Sequence, residues 1–174
     1  MKPTIKKIYI IAGEASGDQI GAHLMEALKK SHTSYQFYGI GGDQMKNMGL
    51  QSLFPMCELS IMGLAEIIPH IRRIMKRIKQ TVRHIIDIQP DILITIDSSG
   101  FTHRVIKHIK KQIKKHKQPY IPAVHYAAPP VWAWRPWRAK SVAKFLDHLL
   151  CLYPFEPPYF TKHGLKETFI RQTK

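Results

Sequence analysis

Short, almost wholly apolar runs recur along this chain, and most are followed by a longer stretch with apolar residues at helical spacing. "KIYIIAG" (residues 7 to 13) reads as a strand, and "DQIGAHLMEALKK" after it as a helix with Ile20, Leu24, Ala27 and Leu28 on one face. "YQFYGIGG" reads as a second strand. "PDILITIDSSG" reads as a third, apolar until Asp97, as a strand buried on both faces should be. "FTHRVIKHIKKQIKKHK" is helical, with Val105, Ile106, Ile109 and Ile113 apolar. "PYIPAVHY", "DHLLCLYPFE" and "KETFI" read as further strands, and "PPYFTKHG" as a helical turn that stops at Gly164. Parallel strands need crossover connections, so the expected class is α/β: a Rossmann-like parallel sheet with helices on both faces. The 174 residues suffice for one such domain with a real core, spanning 1–174, and are too few for two.

Charge narrows the partners without choosing one. Lys and Arg number 27 against 12 Asp and Glu, a net +15. That balance favours nucleic acid, phosphorylated ligands or an anionic lipid surface. No run approaches the about 20 apolar residues of a membrane span, and the start carries no secretory signal, so a cytoplasmic setting is expected. Cys57 and Cys151 form no CxxC pair and are expected to be reduced, buried thiols.

Two loops carry carboxylates where an open α/β sheet binds its ligands, beyond the carboxyl ends of the strands. The loop "GEASGD" holds Gly13, Glu14, Ser16, Gly17 and Asp18. It is neither a P-loop nor GxGxxG. Ser16 with Gln19 fits a capping box, and Asp18 suits the helix dipole. Alternatively, these carboxylates accept hydrogen bonds from sugar hydroxyls. Asp97 ends the third strand, where it could serve as a general base or, with Ser98 or Ser99, as the cap of the next helix.

Three other features bear on partners. After Cys57, Leu64, Ile67, Ile68, Ile71, Ile74, Met75 and Ile78 lie at helical spacing, with Arg72, Arg73, Lys76, Arg77 and Lys79 on the other faces. Such a helix either lies in a membrane interface or is a crossover helix with a solvated basic face. Pro69 should start or kink it. The run from Lys107 to Lys117 keeps a complete apolar face and lacks interleaved aromatics, which argues against nucleic acid. "AVHYAAPPVWAWRPWRAK" gathers three tryptophans and two arginines, groups suited to sugar or phosphate contacts or to anchoring a loop on the sheet edge. The ten histidines form no metal-ligand spacing, so no metal is expected.

"AGEASGD", "MGLAEIIPHIRR", "PDILITIDSSGF", "HYAAPPVWAWR" and "YPFEPPYFTKHG" together resemble the lipid-A-disaccharide synthases, in that family's order, from about Ile8 to Phe169. Thr102 stands where the family's pattern has Asn. The resemblance implies the amino-terminal, acceptor-side domain of a two-domain GT-B glycosyltransferase, with the carboxy-terminal UDP-sugar domain absent from these residues and a donor-domain chain supplied in trans. It implies transfer from UDP-2,3-diacylglucosamine to 2,3-diacylglucosamine 1-phosphate (lipid X), giving a β-1,6 disaccharide and UDP, without a cofactor. The setting implied is peripheral, on the cytoplasmic face of the inner membrane. Asp97 would be the general base. Gly13, Glu14, Ser16, Gly17, Asp18, Trp132, Trp134 and Arg135 would line the substrate cleft. Met62, Leu64, Ile67, Ile68, Ile71, Arg72 and Arg73 would meet the membrane or the acyl chains. A relic that only binds anionic membrane, or a basic nucleic-acid module, are the competing functions.

Overall fold

The computed structural model describes residues 5–60, 67–134 and 137–170. In chain order the elements are β1 (Lys6–Ala12), α1 (Ala15–Lys29), β2 (Tyr35–Ile40), α2 (Asp43–Asn47), β3 (Gln51–Ser52), α3 (Cys57–Ser60), α4 (Ile67–Ile88) and β4 (Ile92–Ile96). Then follow α5 (Ser99–His116), β5 (Ala123–Tyr126), α6 (Val131–Trp134), α7 (Arg138–Val142), β6 (His148–Cys151), α8 (Pro157–Thr161) and β7 (Lys166–Phe169). Among the described residues the seven strands form one parallel sheet in the order β3-β2-β1-β4-β5-β6-β7. This is the expected Rossmann-like class.

Alternation along β1 sorts its residues onto two cores. Tyr9 and Ile11 enter one with Ile78, Val82 and Ile85 of α4 and Val105, Ile106 and Ile109 of α5. Ile8, Ile10 and Ala12 enter the other with Ala22 and Met25 of α1 and Met45 of α2. A strand buried on both faces must be apolar throughout, and each fully buried isoleucine contributes about 1.5–3 kcal/mol.

Several local expectations change. The buried face of α1 is Gly17, Asp18, Gly21, Ala22 and Met25; Ala27 is exposed, and Ile20 and Leu28 only flank the core. Gly17 and Gly21 select this face, because a Cβ at Gly17 would lie 3.3 Å from Ile96 and one at Gly21 2.5 Å from the Met45 sulfur. Ser16 and Gln19 make no capping box: Glu14 is the N-cap of α1 and no side chain caps it. Cys57 is exposed, whereas Cys151 is buried with its thiol pushed up to about 12 by burial.

Helix α4 contains Pro69 in its first turn, where a missing N–H costs nothing. It ends where Gln89 turns left-handed (φ 50°) before Pro90. Its apolar stripe is divided. Ile78, Val82 and Ile85 are in the core and Ile74 and Met75 pack against it, while Ile71 remains 52% exposed beside exposed Arg72 and Arg73. Met62, Leu64 and Arg135 lie outside the described residues, as do the side chains of Ile67, Ile68, Trp132 and Trp134. Among the described residues no helix is long and apolar enough to cross a membrane.

Candidate active site

The strand order reverses between β1 and β4. The chain leaves β1 toward β2 and β3 on one side, then returns to build β4 to β7 on the other. Ala12 pairs with Ile96, so the loops after both strands open at the same level. A crevice at such a switch point is where open α/β sheets hold ligands. The first loop brings Gly13 and Glu14, the second Asp97, Ser98 and Ser99. The two loops touch: a Cβ on Gly13 would fall 2.0 Å from the Ser98 hydroxyl oxygen, so the position requires glycine.

Asp97 and Ser98 both adopt the left-handed region, with φ of 52° and 47°. That conformation disfavours L-residues, aspartate less than most. The turn is held from three sides. The Asp97 N–H donates to the Tyr126 carbonyl at 3.1 Å. The Phe101 and Thr102 N–H groups donate to the Ser98 carbonyl at 2.9 and 3.1 Å. The hydroxyl of fully buried Thr102 reaches the carbonyls of Asp97 and Ser98, each at 3.1 Å.

These bonds fix the backbone of Asp97, and its carboxylate does not cap the helix that follows. Ser98 is the N-cap of α5 by backbone geometry, and no side chain caps that helix. Asp97 is half-buried, and its pKa is raised, first by burial and then by the negative charge of Glu14. Glu14 is exposed and extends from the end of β1. A carboxylate with a raised pKa is a stronger base than a solvated one.

Asp18 lies in the first turn of α1, as expected, and has a further task that the sequence did not show. Its carboxylate is buried and accepts three backbone N–H groups, from Gly42 at 2.8 Å, Gln44 at 3.0 Å and Met45 at 3.1 Å. It caps α2 from another helix, and both oxygens are occupied. Gly42 permits the approach, since a Cβ there would lie 2.5 Å from Asp18 Oδ2. Asp18→Ala would strand three donors, one of them fully enclosed. A buried donor left unpaired costs about 1–3 kcal/mol, so a loss of about 3 kcal/mol is expected in urea unfolding. A loss below about 1 kcal/mol would show that water replaces the carboxylate freely.

A second polar cluster, not read from the sequence, lies under the same strand ends. Thr95 and His125 are register partners on β4 and β5. Both are fully buried, with the Thr95 hydroxyl 2.7 Å from His125 Nδ1. The Thr95 hydroxyl also donates to the Val124 carbonyl at 3.3 Å. His103 of α5 packs its ring edge-on against His125, centroids 4.7 Å apart, and against Phe145 at 5.1 Å. Burial holds His125 down to about 3 and His103 down to about 4, so both are neutral at physiological pH. The signal in the sequence was a polar residue at an inward position of each apolar strand: Thr95 in "ILITI" and His125 in "AVHY".

The structure therefore brings Gly13, Glu14 and Asp97 together at the switch point, packs Gly17 against Ala12 and Ile96, and engages Asp18 in capping α2. Ser16 is exposed in the first turn of α1. The family model for lipid-A-disaccharide synthetase matches residues 8–173. The chain belongs to this family. Relatives called lipid-A-disaccharide synthase include that of Rhodospirillum centenum, 47% identical over 171 residues, which are 98% of this chain and 41% of the relative. That of Paramagnetospirillum magneticum is 51% identical over 164 residues, 94% of this chain and 41% of the relative. That of Rickettsia prowazekii is 48% identical over 167 residues, 95% of this chain and 42% of the relative. The chain spans about two fifths of the length of these family members.

Proposed function

We propose that this chain supplies the acceptor side of lipid A disaccharide synthesis. The reaction is glycosyl transfer from UDP-2,3-diacylglucosamine to lipid X. Asp97 takes the proton of the acceptor 6-hydroxyl, the freed oxygen attacks the anomeric carbon in line, and the bond to UDP breaks with inversion to the β-1,6 product. The observation that carries the reading is Asp97, held by backbone bonds at the switch point with a raised pKa and no capping duty. Glu14 and Gly13 shape the cleft on the facing loop. A domain that binds the UDP-sugar completes the site, because in-line displacement needs donor and acceptor positioned together. The test is a radiolabelled transfer assay with and without a family donor domain added. Disaccharide is expected only with it, and product from residues 1–174 alone would overturn the division into acceptor and donor halves.

The membrane role is proposed for the first turns of α4 alone. Arg77 is committed elsewhere: its Nε and Nη2 donate to the Glu58 carboxylate at 2.8 and 2.6 Å, and its guanidinium lies 4.6 Å from the Phe54 ring centroid. Arg73 also pairs with Glu58, at 3.3 Å, but is itself mostly exposed. Ile71, Arg72 and Arg73 face solvent and can meet an anionic surface on the cytoplasmic side, each basic residue contributing about 1 kcal/mol there. Arg72→Glu with Arg73→Glu is expected to weaken flotation with anionic vesicles about tenfold or more. Equal binding of wild type to neutral and anionic vesicles would remove the electrostatic role.

A further inference from the structure

Beside the carboxylate crevice lies a pocket of about 810 Å³, walled by the first turns of α5, the Pro129–Pro130 segment and α7. Its volume is that of a small-molecule site. Its charge is one-sided. Lys107 and Arg138 line it, no Asp or Glu does, and neither cation has an ion-pair partner among the described residues. Lys107 Nζ rests 4.8 Å from the Phe145 ring centroid instead. His103 lines the same wall, and its Nε2 is the one buried side-chain polar atom without a hydrogen-bond partner among the described residues. Buried polar atoms are rarely left unpaired, and an orphan in a cavity wall marks a place for a ligand atom. Ser99 and Ser141 add hydroxyls, and Gly100 leaves open space over the start of α5, where a Cβ would meet nothing within 4 Å.

We propose that this pocket binds the phosphate monoester of the acceptor sugar, with Lys107 and Arg138 as its cationic clamp and His103 Nε2 as a further hydrogen-bond partner. Two cations with no acid in the lining match a dianion, and guanidinium and ammonium groups bond phosphate with charge-assisted strength. Apolar Val131, Val142 and Phe145 complete a wall suited to a sugar's face. Ser99 and Gly100 follow Asp97 and Ser98 directly, so this pocket adjoins the loop that carries the proposed base. The charges of Lys107 and Arg138 help hold His103 down; a bound dianion would oppose them and raise it. Assigning the phosphate to the acceptor, rather than to the donor's diphosphate, rests on the function proposed above.

The experiment is calorimetric titration of the 174-residue chain with glucosamine 1-phosphate, glucosamine and UDP, with NMR of the His103 ring. Glucosamine 1-phosphate is expected to bind and glucosamine not to. Lys107→Ala and Arg138→Ala should each weaken binding about tenfold, and the His103 ring should titrate at higher pH in the complex. Both residues are exposed, so circular dichroism should show the fold intact. Lys114→Ala with Lys115→Ala, at the far end of α5, should leave binding unchanged. No binding of the sugar phosphate at millimolar concentration, or equal loss in the Lys114 and Lys115 variant, overturns the pocket. UDP binding that excludes the sugar phosphate through the same residues overturns the acceptor assignment. Because binding is read without turnover, Asp97→Asn separates the two ideas. If transfer survives that change while the sugar phosphate still binds through Lys107 and Arg138, the base falls and the pocket stands.

Discussion

Asp97→Asn is expected to lower disaccharide formation by about 10²-fold or more in a chain completed with a donor domain, the usual worth of a positioned base. Asparagine is the sharpest test because it keeps shape and tolerates the left-handed backbone that Asp97 adopts at φ 52°. The N–H bond to Tyr126 and the Thr102 hydroxyl bond to the Asp97 carbonyl both survive the change, since neither uses the side chain. Stability should hold, and KM for the acceptor should move little while kcat falls. The pH profile adds a check that a structural role would not move. Asp97 is raised in part by the Glu14 charge, so Glu14→Gln must lower it and carry the acid limb of kcat toward lower pH. Near-normal turnover by folded Asp97→Asn would remove this carboxylate from the mechanism.

The strands and long helices were legible because local patterning settles them. β1, β2, β4, α5 and their order follow from apolar runs and helical spacing. What the pattern could not supply depends on contacts between distant residues. β3 is two residues long and forms only beside β2. α2 is started by Asp18, which lies 24 residues before Gly42, so no local signal marks it. The face of α1 was misplaced by one step because small Gly17 and Gly21, rather than large apolar residues, sit against the sheet. The stripe of α4 looked uniform, but Ile71 stays exposed while Ile78, Val82 and Ile85 enter the core with α5 and the sheet. At the site, Asp97 was legible as an acid ending a buried strand. The pairing of Thr95, His125 and His103 was not, since it needs the β4–β5 register and the placement of α5 above it.

That histidine pair also predicts how the protein fails in acid. In the folded state His125 sits at about 3 and His103 at about 4, against 6.5 for an ordinary imidazole. His125 is held down by burial and then by His103; His103 by burial and then by Lys107 and Arg138. Both folded values are depressed, so the unfolded chain binds more protons wherever pH is below 6.5 and above the folded values. Stability conferred by the neutral rings is complete above that unfolded value and is lost as pH falls toward the folded ones. Two extra protons in the unfolded state give a slope approaching roughly 2.7 kcal/mol per pH unit. Half-buried His84, also lowered, adds in the same sense. Asp97, being raised, opposes it at lower pH, while lowered Asp91, Asp147 and Glu58 reinforce the loss only once carboxylates begin to protonate. A small domain holds only about 5–15 kcal/mol in all, so cooperative unfolding is expected well before the carboxylates titrate. Urea unfolding measured from about pH 7 down to pH 4.5 checks this. His125→Gln should cost stability at neutral pH, because its contact with Thr95 is altered, yet flatten the slope by about one proton. A wild-type slope below one proton across that interval would mean that the two rings are charged, or open to water, in the folded protein.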